Sequence, residues 1–452
     1  MTDTVRIGSG SAYWGDLLEP AIKLTEHGKL DYICFDHLAE LTLAILQRQK
    51  SKDPQSGYIA DIEPWTDAIL PLARANGTRM VTDAGGANPP AAARKVVDIA
   101  RRHGLAGTKV GVVTGDDVLE RMMALADDGY TFTNLDNGDT DFGAIRDRVV
   151  AANAYIGADG MVEALAGGAD VVVAGRVSDN ALYVAPLMHE FGWTFDDVEK
   201  LGAAVTIGHL LECGALSTGA LSNFWAETGA TWDIGFPYAD VRPDGTAVFS
   251  KLDGTGGLVT EMTLKEQLVY EIADPARYIM PDGVADFTSP RFRQVGPDRV
   301  EATGMTGGPR PDTLKVCVGY QDGWIGEGVA MLSWPDAYAK AQKGAEIVAE
   351  RLKILGISPQ DITFEFLGVN TLHGPAAPQP STDLNEVGLR VAARCRTREE
   401  ADAVRREVMH LWTLGGVGSA ILPPSRPRPV IGLWPTLIPR SEISIDVDML
   451  TA

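Results

Sequence analysis

Short apolar runs alternate with amphipathic stretches through the first half of the chain. Thr4–Ile7, Asp31–Phe35, Arg79–Thr82, Lys109–Val113 and Asp170–Ala174 each hold a few apolar residues in succession, as strands covered on both faces do. Between them, apolar positions recur at helical spacing from about Gly15 to His27 and over Leu38–Arg48, Ala91–Arg102 and Met161–Ala166. A further short strand is expected at Tyr155–Gly157, and Gly115, Asp116 and Asp117 are expected to cap a helix. Buried strands alternating with helices predict a mainly parallel sheet with flanking helices. Ligands of such sheets sit beyond the carboxyl ends of the strands. The loops that open at Gly8, Asp36, Asp83, Thr114 and Gly175 are therefore expected on one rim.

After about Trp225 the pattern changes. Thr246–Leu252, Val300–Ala302, Leu314–Gly319, Gly328–Trp334, Gly388–Arg394 and Ser419–Leu422 read as strands separated by turns, antiparallel in character. Ala337–Leu355 and Thr397–Leu414 read as long helices, and the prolines of Asn370–Leu384 mark an exposed loop. The expected architecture is α/β: a parallel-sheet domain over 1–228 that carries glycine-rich ligand loops, then a mixed α+β domain over 229–452. The second is expected to complete the site and to form the oligomer interface.

Composition narrows the function classes. The chain has 452 residues, 45% hydrophobic and 22% charged, which is globular, and a net charge of −21. That charge argues against nucleic acid or an anionic membrane as the main partner, while a local basic site can still take an anionic small molecule. Cys34, Cys213, Cys317 and Cys395 are widely spaced and contain no CxxC, so reduced thiols in the cytoplasm are expected. No signal peptide or membrane span is visible in the sequence, and a homo-oligomer is expected from its size class.

Candidate chemistry clusters in the loops. Asp253 to Gly257 place three glycines and Thr255 ahead of the helix-forming run Thr263–Ile272, with Lys251 just before. Gly254, Gly256 and Gly257 can turn their amides toward an anion at a helix N-terminus, or simply make a tight turn. Gly8-Ser9-Gly10-Ser11 nearly forms a dinucleotide fingerprint, and Asp36 ends the next strand. Its spacing, G-x-G-x4-G, departs where the helix must approach a pyrophosphate, which argues against NAD. Phosphate or carboxylate binding is the alternative to a plain turn.

Asp83 can act as an acid or base, or bond its own turn. Gly85 and Gly86 make a rim loop, and Asn88 can cap the helix begun by two prolines. Arg176 at the exit of the Val171–Val173 strand suits bidentate binding of a carboxylate or phosphate, with Asp179 as substrate contact or turn partner. His209, Glu212 and Cys213 share one helix face, which suits an acid–base pair better than a metal for want of further ligands; on so apolar a helix a buried structural His–Glu pair is the alternative. Arg310, Asp312 and Lys315 put charges beside an apolar strand, with Lys315 a candidate catalytic cation. Gln321–Gly328 reads as a glycine-broken turn that holds Trp324.

Four strings carry a family likeness: KLDGTGGLVTEMTLKEQLVYE (251–271), GHLLECG (208–214), RPDTLKVCVGYQDGWIGEG (310–328) and VIGLWPTLIPR (430–440). With them the chain resembles the acyclic terpene utilisation protein family, from the Gly8–Gly10 loop to near the C-terminus. The resemblance implies a place beside bacterial enzymes that degrade acyclic terpenoids through coenzyme A thioesters. The expectation is an enzyme moving a proton on a small anion, a branched acyl-coenzyme A or carboxylic acid, as a lyase, hydratase or isomerase. Coenzyme A is then part of the substrate; no redox cofactor and no resident metal are expected. The alternatives are a non-catalytic binding or scaffold subunit of an acyl-coenzyme A pathway, and a metal-dependent hydrolase.

Overall fold

Five of the apolar runs form the parallel heart of a ten-stranded sheet. Val5–Ser11, Tyr32–Phe35, Arg79–Thr82, Val171–Ala174 and Lys109–Thr114 lie side by side in that order, each parallel to its neighbour. Tyr32–Phe35 and Val171–Ala174 are buried at every residue, which explains why they carry no polar alternation. Helices Ile62–Asn76 and Pro89–Arg102 cover one face, packing Ile69, Leu70, Val96 and Val97 with Ile33, Phe35, Val171 and Val173. Antiparallel strands extend both edges. Tyr238–Val241, Ala247–Ser250, Arg299–Thr303 and Arg291–Gly296 continue outward from Val5–Ser11, and Asp446–Thr451 pairs with Lys109–Thr114.

The computed structural model describes residues 3–423 and 425–452. Two compact units result, Met1–Gly319 with Leu433–Ala452, and Tyr320–Gly432. The chain therefore does not divide near 228. Tyr238–Val241 pairs with the edge of Val5–Ser11, and Ala247–Ser250, Arg299–Thr303 and Arg291–Gly296 add to it one after another, so that part of the chain stays with the first sheet.

A three-stranded antiparallel sheet (Tyr278–Met280, Gly283–Asp286, Thr306–Gly308) packs on helix Val198–Glu212, whose residues from Leu201 onward are all buried. In the second unit, Asp361–Leu367 pairs with Glu386–Cys395, which pairs in turn with Trp324–Ser333. Helices Ala337–Ile354 and Arg398–Leu414 cover this sheet through Val348, Leu352, Val404, Val408 and Leu411.

Several elements differ from expectation. The first strand runs to Ser11, so Gly8 to Ser11 is strand and not loop; the following helix is Leu18–His27. The strand expected at Tyr155–Gly157 lies earlier, at Val149–Ala154. Gln321–Gly328 is not a turn but the middle of one strand, Thr313–Ser333. Its glycines serve helix packing: a Cβ at Gly326 would lie 1.9 Å from the Ala401 carbonyl oxygen, and one at Gly328 would lie 2.8 Å from Val408 Cβ. The four cysteines are free thiols, and no helix among the described residues is long and apolar enough to cross a membrane.

Candidate functional site

Arg176 leaves the Val171–Ala174 strand and turns back into the protein, where 1% of its surface meets solvent. Its guanidinium is spent on protein groups. Nε donates to the Val177 carbonyl at 2.6 Å, Nη1 to the Leu38 carbonyl at 2.7 Å, and Nη2 to Asp179. The Tyr155 ring lies across it, with the centroid 4.5 Å away. A buried cation gathers anions, and Asp179, Asp83 and Asp36 all bear on this one. Burial pushes Asp36 well above the ordinary carboxylate range; Asp179 and Asp83 add to that, and Arg176 opposes it. Burial also raises Asp83 to about 7 against the pull of Arg176, while Asp83 Oδ1 accepts from the His37 amide at 2.9 Å. All three guanidinium nitrogens of the residue expected to clamp a substrate are bonded to protein groups. Arg176 touches neither of the cavities described below, because its hydrogen bonds point inward.

The last turn of helix Val198–Glu212 supplies the second feature. His209 Nδ1 lies 3.0 Å from Glu212 Oε1, and Nε2 lies 3.0 Å from the Gln267 carbonyl oxygen. A carbonyl only accepts, so Nε2 carries a hydrogen. Nδ1 and Oε1 then share one further proton, as imidazolium with carboxylate or as imidazole with carboxylic acid. The Phe287 ring stacks on His209 at 4.9 Å, and Gln267 Nε2 donates to the His209 carbonyl at 2.9 Å. The side chains are 3% and 8% exposed. Burial raises Glu212 above its usual range; His209 opposes this and Asp179 reinforces it. Cys213 Sγ donates to the same Oε1 at 3.6 Å, and burial raises that thiol.

Two cavities, both inside the first unit, meet at these acids. One, of about 1010 Å³, has apolar walls from Leu135, Ile279, Met280, Val284, Leu314 and Leu437. Tyr155, Tyr270 and Tyr278 line it too, as do the cations Arg277, Arg310 and Lys315. The other, of about 550 Å³, is lined by Leu17, Leu38, Leu216, Ile234 and Phe236 with Asp16 and Asp36. Glu40, Asp179, Glu212, Tyr270 and Glu271 line both. Pockets of this size with apolar walls and a few convergent polar groups are the usual form of small-molecule sites.

Of the sequence candidates, Asp179, His209, Glu212, Arg310, Asp312 and Lys315 come together around the larger cavity. Lys315 Nζ lies 3.5 Å from Glu40 Oε1 and 5.0 Å from the Tyr155 ring centroid, and the Tyr155 hydroxyl donates to the same Oε1 at 3.0 Å. Burial raises Glu40, but its own amide, Lys315 and Tyr155 outweigh that and hold it below the usual range. Arg310 is paired with Asp159 at 3.1 Å and lies over the Phe195 ring.

The glycine loops do not join them. A Cβ at Gly8 or Gly10 would collide with Leu30 or Phe35 at 2.8 and 2.3 Å, so these residues let side chains pack beneath the strand. Ser9 is fully buried, and Ser11 Oγ donates to the Asp36 carbonyl. A Cβ at Gly85 would lie 2.4 Å from the Ala174 carbonyl oxygen, and the Gly86 amide donates to the Asp83 carbonyl. Asn88 does not cap its helix; it reaches back to the Pro54 and Ser56 carbonyls.

The 251–257 segment is also used by the fold. The Gly256 amide donates to Asp233 and that of Gly257 to Thr228, Thr255 Oγ1 donates to the Leu252 carbonyl, and Gly254 sits at a positive φ turn. Lys251 is held by the Thr255 carbonyl and Asp298. The helix beyond, Glu261–Leu268, starts with a Thr260–Thr263 capping box that satisfies the amides of both threonines.

Sequence reasoning missed Glu40, Tyr155 and Arg277. Glu40 follows the Asp36 rim loop and was within reach of the strand-exit argument; Arg277, in the irregular Asp274–Arg277 turn, carried no periodic signal. Among the described residues, no group of three or more His, Cys, Asp or Glu side chains is placed to hold a metal. His209, the only imidazole on either cavity among the described residues, has both ring nitrogens bonded to protein groups.

No curated protein and no solved structure matches the chain. The model of the acyclic terpene utilisation family protein AtuA matches residues 5–449, nearly the full length, and the chain belongs to that family.

Proposed function

We propose that this chain is an enzyme of acyclic terpene utilisation that moves a proton on a small anion, a branched acyl-coenzyme A thioester or carboxylic acid. The observation that carries this reading is the buried His209–Glu212 pair, whose carboxyl forms a wall of both cavities. His209 shares a proton with Oε1, so Oε2 is the atom left to exchange a proton with substrate. Burial raises Glu212 while the imidazole opposes it, so this carboxyl holds a proton more readily than an exposed glutamate does. Asp179, on the same wall, is the second carboxyl that a hydratase, lyase or isomerase needs to complete proton transfer. Arg277, Arg310 and Lys315 supply the charge that draws an anion into an otherwise acidic protein.

The test is turnover, and exchange of solvent deuterium into branched unsaturated acyl-coenzyme A thioesters and their free acids, by wild type and Glu212→Gln. The variant keeps the size and one hydrogen-bonding oxygen of the side chain, so its melting curve should stay close to wild type. Its rate should fall by about 10²–10⁴-fold, the usual contribution of a positioned acid or base. Undiminished turnover by a folded Glu212→Gln would sink the assignment. Saturable binding by wild type with neither turnover nor exchange would instead favour a binding subunit.

A further inference from the structure

The two cavities differ in charge in a way that the volume alone does not require. The larger has Arg277, Arg310 and Lys315 in its walls. Of these, Arg277 makes no side-chain ion pair or hydrogen bond among the described residues, whereas Arg310 and Lys315 answer Asp159 and Glu40. The smaller cavity has no lysine, arginine or histidine among its described lining residues. Its floor is aliphatic and aromatic, from Leu38, Leu216, Ile234 and Phe236. An anion has no counter-charge there, so its charge would be buried unpaired.

We infer that a single amphiphilic anion lies across both cavities, its charged head at Arg277 and its apolar chain in the smaller cavity, with Glu212 and Asp179 at the neck between them. This rests on the reading above and adds to it the partition of the substrate and the residues that measure its chain. The shared lining supports the neck: Glu40, Asp179, Glu212, Tyr270 and Glu271 belong to both cavities, so a molecule passing from one to the other passes the acid–base pair. Burial, which raises Asp16, Asp36 and Glu212, favours their neutral forms and makes the acidic wall compatible with a hydrocarbon. Chain length is then set by Leu38, Ala39, Leu216, Ala220, Ile234 and Phe236.

Ala220 and Ala39 are exposed residues on this lining, so a larger side chain at either narrows the cavity without disturbing a packed core. The experiment is calorimetric titration of the full chain with branched acyl-coenzyme A thioesters of one and of two isoprene units, repeated with Ala220→Trp, Ala39→Phe and Arg277→Ala. For Ala220→Trp and Ala39→Phe, affinity for the two-unit thioester should fall by about tenfold or more, with the one-unit thioester within about twofold of wild type. Arg277→Ala should weaken both probes alike. Equal affinity of wild type and both cavity variants for the two-unit thioester, or equal loss for the two chain lengths, overturns the inference alone. Failure of wild type to bind either thioester overturns the proposed function, and this inference with it.

Discussion

At Asp83 burial makes the titration of a single side chain measurable. The residue stands at a strand exit, as a catalytic acid would, but it lines neither cavity and bonds the His37 amide. Burial raises it to about 7, with Arg176 opposing and Asp179 reinforcing. In the unfolded chain an aspartate titrates at about 3.9. Between those values the folded protein holds the extra proton, so this group's contribution is intact below about pH 4 and is lost as pH rises toward about 7. Asp83→Asn keeps the acceptor for His37 and removes the titration. It also relieves Asp36, whose protonation has the same sign, so the two effects add. The unfolding free energy of wild type minus that of Asp83→Asn should therefore decline across that window and level off above it. Denaturant titrations at a series of pH values measure it, and a difference independent of pH would remove the buried-acid account.

The elements were legible where apolar pattern alone decides them. The five parallel strands and the helices Pro89–Arg102 and Arg398–Leu414 follow from period alone. The His209–Glu212 pair was also readable, because its spacing fixes a shared helix face. What sequence could not distinguish is a glycine that frees its amide for a ligand from one that lets backbones approach. Gly256 illustrates the second: a Cβ there would lie 1.9 Å from the Ala230 carbonyl oxygen, a backbone atom that cannot turn aside. Gly256→Ala should therefore cost about 1–3 kcal/mol of stability, as overpacking does. Its binding of acyl thioesters should stay unchanged, because the segment lines neither cavity. An anion loop would give the opposite result in the same two measurements, with lost binding at nearly wild-type stability.

At the scale of the whole chain, the division into units follows hydrogen-bonding edges and not the change in local pattern near residue 228. The first sheet recruits strands from 238 to 303 and again at Asp446–Thr451, so residues far apart in sequence share one core and one cavity system. Tyr320–Gly432 is inserted within that unit in sequence and has its own core, in which Leu389, Val391, Val404, Val408 and Leu411 are buried together. Two cores of this kind predict two cooperative blocks of stability. Leu411→Ala removes a fully buried side chain from the insert and should cost that block about 2–5 kcal/mol. Native-state hydrogen exchange resolves where the loss falls. Amides of Glu386–Cys395 and Arg398–Leu414 should lose protection together, while those of Tyr32–Phe35 and Val171–Ala174 keep theirs. Protection falling by the same factor in all four segments would mean that the chain opens as one cooperative body, and that the second core has no stability of its own.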